Sequence, residues 1–265
     1  MPPLALVGNL SFDRIDGGAP RTGGGPVHCG RAFRALHTRA TTIARCASEA
    51  SPQFRRRFAR LGLPVRLLNG RETTAFSFSY EGDRRIMRVD RLGDVWTEDE
   101  LIDLPRGAWV HLAALLRGDF PARTLAAIAR GRHLSLDGQG VTRVRERGPL
   151  RLEADPELGS LLQHVSILKL AVEEAETLAG TLDPKALAAL GPSEVVVTFG
   201  SRGSLVVADG RSTNVRAHYV DTDPTGSGDA FAAAYLASRA AGQAPPAAAR
   251  RATALVAALL SGSGQ

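Results

Sequence analysis

Lysine is almost absent from this chain of 265 residues. Lys169 and Lys185 are the only two, so 31 of the 33 basic residues are arginine and guanidinium groups carry the formal charge of +6. The arginines are scattered, with one tight run at Arg55-Arg56-Arg57 and no aromatic residues interleaved. That is the pattern of a solvated surface and not of a nucleic-acid face. Cysteine is equally scarce: Cys29 and Cys46 are too few for a disulfide framework and lack zinc-ligand spacing, which fits a reducing compartment. No apolar run is long enough to span a bilayer, and Met1–Gly8 reads as a first strand and not as a signal peptide. The expectation is a cytoplasmic protein with neither membrane nor nucleic acid as partner. Whole motifs are missing as well. There is no Gly-Lys pair, which a P-loop needs, and no G-x-G-x-x-G fingerprint. There is no G-x-S-x-G elbow, no H-E-x-x-H metal motif and no protein-kinase loop signature.

What is present is a chain with 44% hydrophobic residues and 5% aromatic ones, enough for one sizeable domain over 1–265. Short β-type runs lie at Leu4–Gly8, Thr41–Cys46, Ala108–Leu112, His133–Asp137, Val165–Leu168 and Glu194–Phe199. Helical stretches lie at Val27–Leu36, Pro52–Leu61, Pro121–Arg130, Val172–Ala179, Asp229–Ala241 and Pro245–Leu260. Their alternation predicts an α/β fold, a mostly parallel sheet covered by helices on both faces, with ligands beyond the carboxyl ends of the strands. One segment breaks the rhythm. Thr73–Tyr80 and Arg85–Asp90 are β-type runs joined by Glu81-Gly82-Asp83-Arg84, which suits a hairpin turn. The first run alternates apolar and polar residues, so the hairpin is either an ordinary edge or a small lid over a site.

The most informative stretch is Asp223-Pro224-Thr225-Gly226-Ser227-Gly228-Asp229, followed at once by a strongly helical run. Pro224 pre-sets a turn and the two glycines relieve the backbone. The turn delivers Gly226, Ser227 and Gly228 to a helix N-terminus, where unpaired N–H groups and the dipole make an anion site. Asp229 stands at its mouth. A carboxylate there is either the N-cap of the helix or a base for an attacking hydroxyl, with the amides stabilising a transferred phosphoryl group.

The run Asp223–Phe231 resembles the C-terminal signature of the PfkB/ribokinase family of carbohydrate kinases, whose usual core is Asp-Thr-x-Gly-Ala-Gly-Asp-x-Phe. Pro224 stands for the common Thr and Ser227 for the common Ala, and the Pro form is similar to that of inositol-kinase-like branches. The resemblance implies a ribokinase-like fold and ATP-dependent transfer to a hydroxyl of a small sugar, sugar derivative or polyol. It implies Asp229 as base and the Gly226, Ser227 and Gly228 amides as anion hole. It places Asp223 near a monovalent cation such as K+.

The rest of the chain carries the same resemblance. Val196–Ser204 looks like the family's strand and turn for ATP, which implies ATP contacts at Thr198, Gly200 and Gly203, joined by Lys169 and Thr225. A plain β-hairpin is the other reading of that turn. Ile167–Ala175 resembles the Asn-x-x-Glu region, which implies that Glu174 orders Mg2+, although Ala171 sits where Asn is usual. Gly8–Asp13 resembles the first strand, whose acidic residue, here Asp13, binds sugar hydroxyls. Gly23 and Gly24 match the turn before the first helix, and His28 falls where relatives carry Asn. Asp137-Gly138-Gln139-Gly140-Val141-Thr142-Arg143 resembles a cleft segment of some branches, which implies substrate or phosphate contacts at Gln139 and Arg143. Only Arg14–Thr22 separates Asp13 from Gly23, so a lid reduced to about 72–91 is expected, with the protein a monomer or a homodimer. Two alternatives remain at this stage: a nucleoside kinase of the same family, and a sugar- or nucleotide-binding protein without turnover, for which Ala171 is the main support.

Overall fold

The computed structural model describes residues 1–81, 84–217, 219–220 and 224–262. Its strands, in chain order, are β1 (Leu4–Asn9), β2 (Ser11–Ile15), β3 (Arg21–Gly23), β4 (Thr41–Ala47), β5 (Arg66–Gly70), β6 (Thr74–Glu81) and β7 (Arg84–Arg91), then β8 (Trp109–Ala113), β9 (His133–Asp137), β10 (Gly148–Pro149), β11 (Ile167–Ala171), β12 (Glu194–Thr198), β13 (Ser204–Ala208) and β14 (Arg211–Val215). The helices are α1 (Gly25–Ala35), α2 (Ser51–Arg60), α3 (Ala122–Ala129), α4 (Gln139–Thr142), α5 (Leu158–Leu162), α6 (Val172–Ala179), α7 (Pro184–Ala188), α8 (Ser227–Ala240) and α9 (Pro245–Ser261).

A nine-stranded sheet runs in the order β14-β13-β12-β11-β9-β8-β1-β4-β5. From β12 to β5 every neighbouring pair is parallel, and β13 and β14 close one edge antiparallel. The expected ribokinase-like α/β fold is therefore present. Strands such as β1, buried along its whole length, pack apolar residues on both faces. One face carries Ala5, Val7, Ile43, Leu112 and Leu136 toward α3, α5, α6 and α7. The other carries Leu6, Ala113, Ile167 and Val196 toward α1, α8 and α9, with α2 seated on Ala44 and Cys46 through Phe54 and Phe58. Helix α8 is buried along most of its length, and its many alanines let α1 and α9 approach closely.

The second sheet has five strands in the order β10-β7-β6-β2-β3. The expected hairpin is there as β6 and β7, antiparallel. It is extended on one side by β2, which pairs with β6 in parallel and with β3 antiparallel, and on the other by β10. The sheet is thus larger than the reduced lid expected at 72–91. The short span after Asp13 contributes strands after all, because β2 continues almost directly from β1 and its pairing with β6 spans a sequence separation that local patterns do not reveal. The alternation read in the first run holds: Phe76 and Phe78 are buried, whereas Ala75 and Ser77 are half-buried.

The carboxylate of Glu194, at the start of β12, ties the sheet to α8. It accepts the Tyr235 hydroxyl at 2.5 Å and the Arg239 guanidinium at 2.8–3.0 Å. Burial and the adjacent carboxylate push the Tyr235 hydroxyl's pKa well up, so it stays a donor. Removing the acceptor strands both donors in a region that is mostly closed to water. Glu194→Ala is expected to lower unfolding free energy by about 3 kcal/mol, read from urea denaturation followed by circular dichroism.

Candidate active site

At the carboxyl ends of β1, β9, β11 and β12 a cleft of about 520 Å3 opens between the large sheet and the second sheet. Its floor is the turn before α8. Gly226 is the N-cap in the left-handed region, φ +78°, and the helix starts at Ser227, two residues earlier than the sequence suggests. Asp229 is therefore in the first turn of α8 and is not its N-cap residue. Any side chain at 226 would be strained by φ and would overlap the His28 ring.

Around this turn the structure gathers most of the residues singled out in the sequence. Thr225, Gly226, Ser227, Gly228 and Asp229 line the cleft, with His28 and Gly24 from the start of α1. Lys169, Glu174, Thr198 and Gly200 form its wall on the β11–β12 side. Asp13, Gln139 and Arg143 line the cleft too, Gln139 opening a short helix, α4, and Arg143 following it within electrostatic reach of Lys169. Gly23 lies behind Asp13: a Cβ there would collide with the Asp13 carboxylate, which the Ser11 hydroxyl holds at 2.9 Å. Gly203 does not reach the cleft. It borders an adjoining apolar hollow of about 140 Å3, shared with Phe231, Val256 and Leu260. Asp223 lies outside the described residues.

The electrostatics centre on Lys169, which is 6% exposed. Its ammonium lies 3.6 Å from Asp137 Oδ1 and close enough to the turn that a Cβ on Gly228 would be 2.9 Å from it. Burial works against the charge, but Asp137, Glu174 and Asp229 outweigh it and raise the Lys169 pKa. Asp137 is fully buried, yet Lys169 and His111 hold its carboxyl below the usual range. Asp229 moves the opposite way. It keeps one side open to the cleft, but the packed surroundings remove most of its water and Asp137 repels its charge, so its pKa is raised. Behind it, the Cys29 thiol donates to the Asp229 carbonyl at 3.3 Å.

Asp137, His111 and Ser135 do not line the cleft but form a buried polar row in the sheet, for which the sequence assigns no role. His111 contacts Ser135 Oγ through Nδ1 at 3.1 Å and Asp137 Oδ2 through Nε2 at 3.2 Å. A signal was there: polar residues at alternate positions of strands that should be apolar on both faces. Phe76, Phe78, Met87 and Leu115 were also passed over, and they make an apolar wall of the cleft.

Glu174 fits a role in holding a divalent metal. Its carboxylate lines the cleft and is steadied by the Ala171 N–H, which donates to Oε2 at 2.8 Å. Among the described residues no group of three or more His, Cys, Asp or Glu forms a metal cage. A hydrated Mg2+ shared between one carboxylate and ligand phosphates needs none.

Comparison with known proteins agrees with this geometry. The model of the pfkB family carbohydrate kinase matches residues 43–265. A pyrophosphate-dependent kinase in the ribokinase family, solved with a pyrophosphate analog and myo-inositol, superposes with a TM-score of 0.86 at 25% identity, over 97% of this chain and 95% of its own. A pyrophosphate-dependent myo-inositol-1 kinase converted into a myo-inositol-3 kinase gives 0.84 at 26% identity, over 97% and 92%. Arabidopsis thaliana ribokinase, solved with ribose and ATP, gives 0.75 at 20% identity over 98% and 93%, a likeness of fold.

The raised Asp229 pKa has a consequence for stability. Because the folded-state value lies above the unfolded one, ionisation costs the native state more as pH rises through it. Asp229→Asn is expected to melt higher than the native sequence at pH 7, with the difference fading below about pH 4, measured by thermal melts across pH.

Proposed function

The chain belongs to the pfkB family of carbohydrate kinases, and we propose that it transfers a phosphoryl group to a hydroxyl of a small polyol, with a cyclitol of the inositol kind as the acceptor class. The observation that carries the reading is the position of Asp229: at the first turn of α8, with raised proton affinity, in the same cleft as Asp13. A base must face both the acceptor hydroxyl and the incoming phosphoryl group. Asp13, held by Ser11, accepts hydroxyl hydrogen bonds, and Gln139 and Arg143, which line the same cleft, orient the acceptor. Asp229 takes the proton of the attacking hydroxyl. The amides at Gly226, Ser227 and Gly228 and the Lys169 ammonium stabilise negative charge at the moving group. The apolar wall of Phe76, Phe78 and Met87 excludes water, which limits wasteful hydrolysis. Mg2+ bound at Glu174 would neutralise charge on the donor phosphates. A monovalent cation such as K+ beside Asp223, a cytoplasmic location and a single domain over 1–265, as monomer or homodimer, complete the proposal.

ATP is the donor in the first reading. The apolar hollow at Gly200 and Gly203 adjoins the phosphate-binding turn and offers a place for a purine, with Thr198 and Thr225 beside the phosphates. Pyrophosphate is the second reading, favoured by the 25% identity over 97% of the chain with a pyrophosphate-dependent kinase. Incubation with labelled ATP or pyrophosphate and a panel of cyclitols, pentoses, hexoses and nucleosides tests both. Transfer to a cyclitol is expected, and Asp229→Ala is expected to lower kcat by about two to four orders of magnitude. Transfer to nucleosides alone, or undiminished turnover in Asp229→Ala, overturns the reading.

A further inference from the structure

We propose that Asp137, oriented by His111, is a positioning residue that holds the Lys169 ammonium away from Asp229, leaving the Asp229 carboxylate available as a base. The proposal rests on the kinase reading of the same cleft and adds to it a function for two residues that do not touch substrate.

The argument begins with the sheet. His111 on β8 is registered with Ser135 on β9, and Asp137 on β9 with Lys169 on β11. All four side chains therefore stand on one face, the face covered by α1 and α8. His111 and Asp137 are 0% exposed and Ser135 is 2%. A neutral His111 ring satisfies both of its contacts, accepting from the Ser135 hydroxyl and donating to Asp137 Oδ2. That leaves Asp137 Oδ1 without a hydrogen-bond partner among the described residues, 3.6 Å from the Lys169 ammonium.

One ammonium thus faces three carboxylates, Asp137, Glu174 and Asp229. A buried ammonium seeks a partner; without Asp137 the carboxylates left to it are Glu174, which the Ala171 N–H already engages, and Asp229, across the Gly228 backbone. An Asp229 locked to Lys169 would be a poor base. The groups around Asp229 are His28 and Cys29 from α1, His111 from β8, Asp137 from β9 and Lys169 from β11. Glu174 from α6 and Arg143, after α4, also face Lys169. The opposite shifts of the two aspartates agree with an ammonium held on the Asp137 side.

The test is a carbon-13 carboxyl titration of the full chain, paired with pH-dependent kinetics. In the near-isosteric Asp137→Asn the Asp229 midpoint is expected to fall by about one pH unit or more. The acid limb of kcat/KM should follow it, and kcat should fall about tenfold or more with little change in acceptor KM. Lys169→Met should move the midpoint upward, and this variant decides the matter if Asp137→Asn fails to fold. An unmoved midpoint and acid limb in folded Asp137→Asn overturn the proposal, as does an unmoved midpoint in Lys169→Met. If the midpoints move as expected but no donor and acceptor pair turns over, the positioning stands and the kinase reading falls.

Discussion

A single buried ammonium is the constraint on which the site depends. Lys169 is one of only two lysines in the chain. At its depth, desolvation favours the neutral amine unless carboxylates surround it. Asp137, Glu174 and Asp229 do so, from β9, α6 and α8. None of the three is near another in sequence. They converge because β9 and β11 are neighbours in register, because α6 begins directly after β11, and because α8 begins at the glycine turn. The sheet order is thus more than scaffolding: a shift of β9 by one residue would turn Asp137 to the opposite face and leave the ammonium with less compensation.

The second sheet depends on the first through the same end of the molecule. β2 leaves β1 almost at once, so the chain that supplies this interior strand of the large sheet also supplies Asp13 and Ser11 to the cleft. Phe76, Phe78, Val89 and Leu116 hold the second sheet together as a small apolar cluster of its own. The cleft therefore has a polar floor from the large sheet and an apolar wall from the small one. That division suits a polyol, whose hydroxyls need partners on one side and whose ring carbons tolerate an apolar surface on the other.

The fold was legible where elements are local. The expected boundaries of β1, β4, β9, β12, α6 and α9 lie within a residue or two of those observed, because buried strands and capped helices announce themselves through composition. The β13–β14 hairpin was missed although Asp209-Gly210, both at positive φ, is a recognised hairpin turn. The pairing of β2 with β6 had no local signal at all. In the site, the glycine turn stood out by its own chemistry, and Asp13 and Lys169 by their place in segments that resemble the family's. His111 and Asp137 were harder: each is a lone polar residue in a short apolar run, and only their register shows that they meet.

Two departures from the family pattern look different once the geometry is known. Ala171 replaces an asparagine, and its lost amide was the support for a binding protein without turnover. Yet the Ala171 contact that steadies Glu174 is a backbone N–H, which any residue but proline supplies at 171. The substitution therefore leaves the anchoring of the carboxylate intact, and that argument against turnover weakens. His28 stands where asparagine is usual, and its ring packs against the bare Cα of Gly226. The ring and the glycine determine each other: a Cβ at 226 would displace His28, and the larger ring at 28 fills space beside the turn that an asparagine would leave open. His28 Nδ1 has no hydrogen-bond partner among the described residues, although it is shielded from water. A shielded nitrogen on the cleft wall without a partner is costly in the ligand-free protein. That nitrogen is the ring atom nearest Gly226 and is shielded by the turn, so the change from the usual asparagine bears first on how the turn packs.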